Sequence, residues 1–233
     1  GGVNYYSGQV FDIAAITEKA QSIGCQVGFD LAHAAGNIKL NLHDWGIDFA
    51  AWCGYKYLNG GPGAPSGVFI HERHLGRTDY PRFEGWWGHD KSTRFEMPDE
   101  FIPIDTAEAW QLSNPPILSM APLLASLEIF HEAGMENLIK KSNQLTKYLE
   151  NLILTELGAT IEIITPTNPK DRGCQLSLRL INLIPNIMDK LRDVGIIADW
   201  REPDVIRIAP VPLYNTFIEC YEFTHRLKTI INE

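Results

Sequence analysis

Three short apolar runs, each closing on small or polar residues, set the tightest limit on what this chain can fold into. They are CQVGFDL at 25–31, IDFAAWCGY at 47–55 and GVFIHE at 67–72. Runs of this length between turn residues read as strands of a buried sheet. Ahead of the first, Asp12 is placed to cap a helix through about Ile23, with Ile13, Ile16 and Ala20 on one face and Gly24 as the stop. The glycine- and proline-rich loop NGGPGAPSG separates the second run from the third. Apolar strands that alternate with helical segments give an α/β fold with a parallel or mixed sheet.

Beyond residue 72 the pattern changes. Residues 73–116 carry three tryptophans and several prolines without periodicity, and a stretch that long is uncommon unless it is functional. After Asn114-Pro115-Pro116 comes a helical run from Ile117 to Ala133, then another from Met135 to Leu157. The remainder reads as a small α+β unit: strands at 159–164 and 173–180, a helix at 185–194, short strands near 196–199 and 205–209, and a last helix from about 215. The expected division is 1–130 and 131–233. Only about three core strands precede the small unit, and so narrow a sheet leaves an edge unpaired. The expectation is therefore a chain that begins in mid-domain.

Composition excludes some partners. A formal net charge of −9 argues against nucleic acid, which is bound by clustered Lys and Arg. No apolar run reaches the roughly 20 residues that cross a bilayer, so no membrane partner is expected. Cys25, Cys53, Cys174 and Cys220 form no CxxC pair, and three of them lie in apolar runs. They are expected to be reduced and buried, as in a cytoplasmic protein. His71 and His74 make an HxxH without further ligands nearby in sequence, read as a solvated strand end with no metal.

Four places put polar groups where α/β folds build sites. They are Asp30 and His33 in FDLAHAAGN, Tyr55-Lys56-Tyr57 before the glycine loop, Gly85-Trp86-Trp87-Gly88-His89, and Ser113-Asn114-Pro115-Pro116. Lys56 follows an almost uncharged strand and sits between two tyrosines, a setting that disfavours its charged form. Such a lysine suits Schiff-base chemistry. Asp30 fits a carboxylate that pairs with a protonated pyridine nitrogen, and His33 fits a group that stacks on the ring or orients Asp30. Taken singly, Asp30 also reads as a helix cap and His33 as a buried, satisfied imidazole. Their order, Asp then His then Lys on consecutive strand ends, favours the joint reading.

The strings VGFDLAHAAGN, WCGYKYLNGGPGA, GWWGH, LSNPPI, RGCQLS and IRIAPVPLYN together resemble the kynureninase family from the first residues to the last helix. The resemblance implies part of a fold-type-I pyridoxal-phosphate (PLP) large domain, mainly parallel sheet with helices, followed by a small C-terminal α+β domain. It implies hydrolysis of L-kynurenine, or 3-hydroxykynurenine, to anthranilate, or 3-hydroxyanthranilate, and L-alanine. Under it Lys56 is the Schiff-base lysine, Asp30 the pyridine-nitrogen carboxylate and His33 the histidine beside it. Tyr55 contacts the cofactor phosphate and handles protons. Trp86 and Asn114 are further cofactor-pocket positions, which a partner subunit of a homodimer can donate. His89 is a substrate-side histidine, and Arg207 clamps the substrate α-carboxylate through its bidentate fork. Family members are longer, so the phosphate cradle and ring-stacking aromatic are expected from a segment ahead of Gly1. Two rivals stand beside this reading. One is a cysteine desulfurase or another class V aminotransferase-like enzyme, which would need a cysteine on a mobile loop. The other is a non-catalytic dimerisation subunit.

Overall fold

The computed structural model describes residues 1–232 and divides into two compact units. The first comprises Gly1–Gly2, Asp12–Ala32 and Leu40–Glu128, and the second Val3–Phe11, His33–Lys39 and Ile129–Glu233. Two short N-terminal stretches thus belong with the C-terminal unit, which a single boundary near 130 does not convey.

In the first unit, α1 (Ile13–Gln21) starts at Asp12, whose Oδ1 accepts from the Ala15 N–H at 2.9 Å. Its buried face is Ile13 and Thr17, one turn apart, whereas Ile16 is 45% exposed, contrary to expectation. Thr17 is tolerated inside because its hydroxyl donates to the Ile13 carbonyl at 2.7 Å. Strands β1 (Gly28–Asp30) and β2 (Phe49–Trp52) are parallel, and β3 (Gly67–Ile70) runs antiparallel to β2. The sheet is therefore mixed, and each strand is shorter than its apolar run. Cys25 shows why: its N–H still bonds the Ala20 carbonyl of the helix end. It is exposed, so the expectation that it is a buried thiol fails, while Cys174 and Cys220 are buried and all four cysteines are free. Strand β2 is less buried than its composition suggests, since Phe49 is half exposed and covers Gly28, where a Cβ would stand 2.2 Å from the ring.

His71 and His74 do not form a solvated strand end. His71 is buried, and His74 Nε2 lies 2.6 Å from Asp48 Oδ1. Asp48, buried at the start of β2, also accepts from the Val27 N–H at 2.7 Å and from Arg73 Nε at 2.9 Å. Burial alone would raise the Asp48 carboxyl, but bonds from His74, Val27, Arg73 and Gln21 hold it far below the usual carboxylate range. This network pins β2, the strand that leads to Lys56. No group of three or more His, Cys, Asp or Glu among the described residues could hold a metal ion.

Helix α2 (Ile117–Ala133) carries apolar residues all round, with Leu123, Ser126 and Phe130 along its less exposed side. Ile117, Leu118 and Leu124 remain 75%, 91% and 60% exposed. An all-round apolar helix is one made for burial on every side. No helix among the described residues is long and apolar enough to cross a membrane.

The second unit packs α3 (Met135–Leu157) and α5 (Phe217–Asn232) with a four-stranded antiparallel sheet. Its strands are β4 (Ile161–Ile163), β5 (Leu176–Leu180), β6 (Asp199–Arg201) and β7 (Val205–Ile208), ordered β4-β5-β7-β6. Helix α4 (Ile187–Asp193) lies between β5 and β6 in sequence. Leu145, Leu149, Ile153 and Leu157, spaced by four along α3, meet Leu176, Leu178, Ile206 and Leu227 in one core. Residues 3–11 form a small turn on this unit, closed by a Val3–Val10 bridge and tied to the sheet where Ser177 Oγ donates to the Tyr6 carbonyl at 2.5 Å.

Candidate functional site

Because β1 and β2 are parallel, their C-terminal ends open on the same edge of the sheet, the edge where α/β folds bind ligands. Asp30 is the last residue of β1, opposite Ala51 of β2, and its carboxylate is exposed. Its Oδ1 accepts from the Ala32 N–H at 2.8 Å, a short turn that fixes the carboxylate at the strand tip. Lys56 follows β2 on the same edge and is half-buried. A carboxylate at the tip of β1 and a lysine four residues past the end of the neighbouring β2 are the kinds of group that suit a pyridinium aldehyde cofactor, so their chemistry fits PLP.

The loop after Lys56 is held tightly. The Gly60 N–H bonds the Gly54 carbonyl and the Asn59 N–H bonds the Lys56 carbonyl, both at 2.9 Å. Ser126 of α2 donates to the Leu58 carbonyl at 2.7 Å. Gly54 has no room for a side chain, since a Cβ would stand 2.4 Å from the Pro65 carbonyl oxygen. Tyr55 is 53% exposed. The sulfur of Cys53, by charge and by hydrogen bonding, holds the Tyr55 phenol above its usual value, so the group is protonated at neutral pH as any ordinary phenol is. Cys53 was not singled out in the sequence, although its place two residues before Tyr55 on a strand tip was a usable signal.

Trp86 lies in a short helical turn, 45% exposed, edge-on to Trp87 at 5.2 Å and to Phe95 at 5.7 Å. Asn114 is exposed and accepts from Ser113 Oγ at 3.1 Å. His89 is only 5% exposed, and both ring nitrogens are used within its loop. Nδ1 accepts from the Ile102 N–H at 3.1 Å, which puts the ring proton on Nε2, facing Thr93 Oγ1 at 3.0 Å. In this arrangement His89 braces the tryptophan loop.

The remaining two site residues belong to the other unit. His33 opens the stretch His33–Lys39, so it counts with the C-terminal sheet and not with Asp30 and Lys56. Arg207 is the third residue of β7, 9% exposed, with Nη1 donating to the Tyr5 carbonyl at 2.6 Å and Nη2 paired with Asp199, its register partner on β6. Arg201 shares that carboxylate at 3.0 Å. Asp199 and Tyr5 are contacts that the sequence alone did not reveal. The buried thiols are poor nucleophiles, because burial pushes Cys174 up to about 12 and Cys220 to about 11.

Residues 138–227 match the kynureninase C-terminal domain. The kynureninase of Flavobacterium psychrophilum is 56% identical over 237 residues, an alignment that takes in all of this chain and 56% of that protein. The chain thus spans about half the length of the curated relatives it matches. Among solved structures, the apo cysteine desulfurase of Thermococcus onnurineus superposes with a TM-score of 0.80 at 19% identity, over 99% of this chain and 58% of that one. A C-DES variant with glycine covalently linked to its PLP cofactor gives 0.79 at 19%, over 97% and 58%. At such identity these two show the fold alone, which is that of the class V aminotransferase-like PLP enzymes. By sequence, at more than half identity along its whole length, the chain corresponds to the C-terminal portion of kynureninases.

Proposed function

We propose that this chain carries the lysine-bearing part of a kynureninase, which hydrolyses L-kynurenine or 3-hydroxykynurenine to anthranilate or 3-hydroxyanthranilate and L-alanine. The observation that carries the reading is the pair of parallel strands, one ending at Asp30 and the other followed four residues on by Lys56, in a chain with this likeness. Pyridoxal phosphate, when bound, supplies the electron sink for a carbanion at the substrate α-carbon. Lys56 would hold the cofactor, and its free amine would take the proton from the substrate α-carbon. Asp30 keeps the ring nitrogen protonated. His33, Trp86 and Asn114 would be further contacts to the cofactor. Tyr55, with its phenol kept protonated, donates a proton as water adds to the γ-carbonyl. The Arg207 fork takes the α-carboxylate in competition with Asp199. His89, its nitrogens already engaged, supports the loop on the substrate side. Likeness to kynureninases further suggests a homodimer completed by the part of the kynureninase sequence not spanned here, a cytoplasmic setting, and a role in tryptophan catabolism and NAD biosynthesis.

The test is chemical. The purified protein is incubated with PLP, reduced with borohydride and mapped by peptide mass, and anthranilate release from kynurenine is followed by fluorescence. The adduct should fall on Lys56, and Lys56→Ala should lose it together with at least about a hundredfold of turnover. An adduct on another lysine, or a variant that keeps more than about a hundredth of the rate, overturns the assignment. Sulfide release from cysteine in place of anthranilate release would move the chain to the desulfurases.

A further inference from the structure

One buried side chain ties the His33 turn to the sheet that carries Arg207. Asn37 is 7% exposed. Its Nδ2 donates to the His33 carbonyl at 3.0 Å, and its Oδ1 accepts from the Cys174 N–H at 2.9 Å. The bonds use opposite ends of one amide, so a flipped amide would lose both. Gly173 makes the fit possible, since a Cβ there would stand 2.3 Å from Oδ1 and 2.4 Å from Nδ2. The N–H groups of Asn37 and Ile38 both return to the Ala34 carbonyl at 3.0 Å, which closes residues 33–38 into one turn. Cys174 leads into β5, and β5 pairs with β7 so that Ser177 lies opposite Arg207. A continuous chain of hydrogen bonds therefore runs from the His33 backbone to the strand of Arg207.

We propose that Asn37 is a positioning residue that locks the His33 turn into the frame of the C-terminal sheet, so that His33 and Arg207 keep one mutual geometry. The proposal rests on the reading of His33 as a cofactor contact and Arg207 as the substrate-carboxylate clamp. Asn37 bonds the His33 carbonyl and so acts through the His33 backbone. A purely structural asparagine would satisfy two backbone groups and affect stability alone. A positioning asparagine also sets the rate, because an error of about 1 Å in a reacting group can cost about a hundredfold.

Two variants of the complete enzyme test this. Asn37→Ala deletes both bonds, and Gly173→Ala displaces the amide without removing it. The first readout needs no cofactor: amide hydrogen exchange at Cys174 and across 33–38 should quicken at least about tenfold, with residues 178–180 unchanged. The second is kinetic and spectroscopic: kcat for kynurenine should fall about tenfold or more while KM moves within about twofold, and the visible absorption of bound PLP should shift. Should Asn37→Ala fail to fold, Gly173→Ala carries the same test. Unchanged exchange in a folded variant overturns the link. Faster exchange with wild-type kcat and cofactor spectrum overturns the positioning role. A wild-type enzyme that forms no borohydride-fixed bond with PLP overturns the functional reading, and the role of His33 with it, while the exchange result still decides whether Asn37 locks the turn.

Discussion

The most demanding prediction concerns the ion pair under the same stretch of chain. Arg172 stands immediately before Gly173 and Cys174, and its side chain is fully buried, with Nη2 3.1 Å from Glu150 Oε2 on α3. Glu150 is 1% exposed and has a second partner in Lys147 at 3.2 Å, whose own side chain is 57% exposed. Burial alone would raise the Glu150 carboxyl, but Arg172 first and then Lys147 hold it below the usual range. Glu150→Ala leaves a buried guanidinium with no carboxylate, a defect that costs about 3–5 kcal/mol. For a chain of this size that is roughly 6–20 °C in Tm. Arg172→Ala should cost less, because Lys147 stays with the carboxylate. Replacing both by leucine should recover most of the loss, since apolar pairs often substitute for buried ion pairs without penalty. Urea unfolding followed by both far-ultraviolet dichroism and tryptophan fluorescence measures each variant, and two probes are needed because two units can unfold separately. A cost for Glu150→Ala near or below about 1 kcal/mol, as for a surface pair, refutes the reasoning. So does a double variant no more stable than the sum of the single losses.

Other outcomes follow from the described contacts. Asp30→Asn removes the charge at the β1 tip, so kcat should fall while KM moves little, and a loss confined to KM would assign Asp30 to binding or capping. Arg207→Lys keeps the charge and loses the fork, so kcat/KM for kynurenine should drop with PLP affinity intact, which a PLP titration checks alongside the kinetics. Asp48→Asn should destabilise the first unit by about 1.5–3 kcal/mol, the worth of a charged hydrogen bond. The Asp48 carboxyl is depressed, so its stabilising effect is full above its unfolded value of about 3.9 and fades as pH falls through the folded value. Wild type and Asp48→Asn should therefore differ most above about pH 4 and converge in stronger acid, as acid titrations of the fluorescence will show.

Local signals were legible in the sequence and non-local ones were not. The Asp12 cap, the long helices and the strand that ends at Asp30 all depend on neighbours within a few residues, and the structure has them, whereas β2 stops at Trp52, short of Lys56. Strand ends were overestimated because apolar composition continues past the last ladder bond, as where the Gly54 carbonyl turns away to Gly60. His74 looked solvated because its partner Asp48 lies 26 residues earlier. Arg207 gave no hint of Asp199, because that pairing depends on the β6–β7 register. The clearest case is His33. It is three residues from Asp30 in sequence, yet Asn37 and Cys174, 137 residues apart, assign its turn to the other unit.

The stitching of the second unit also sets a clock on its biosynthesis. Its first segment reaches Thr165, Ser177 and Arg207 across sequence separations of 158, 171 and 202 residues. Polypeptide leaves the ribosome at about 5–20 residues per second, so these hydrogen bonds wait roughly 10–40 s for their partners to be made. During that interval the Tyr5–Ser7 turn and the His33–Asn37 turn have no sheet to join, and the strands they will meet do not yet exist. Contacts of such separation also close late in refolding, because the entropy of closing the loop is lost before any of them forms. The two candidate residues of this unit, His33 and Arg207, can acquire their geometry only when the last third of the chain has emerged.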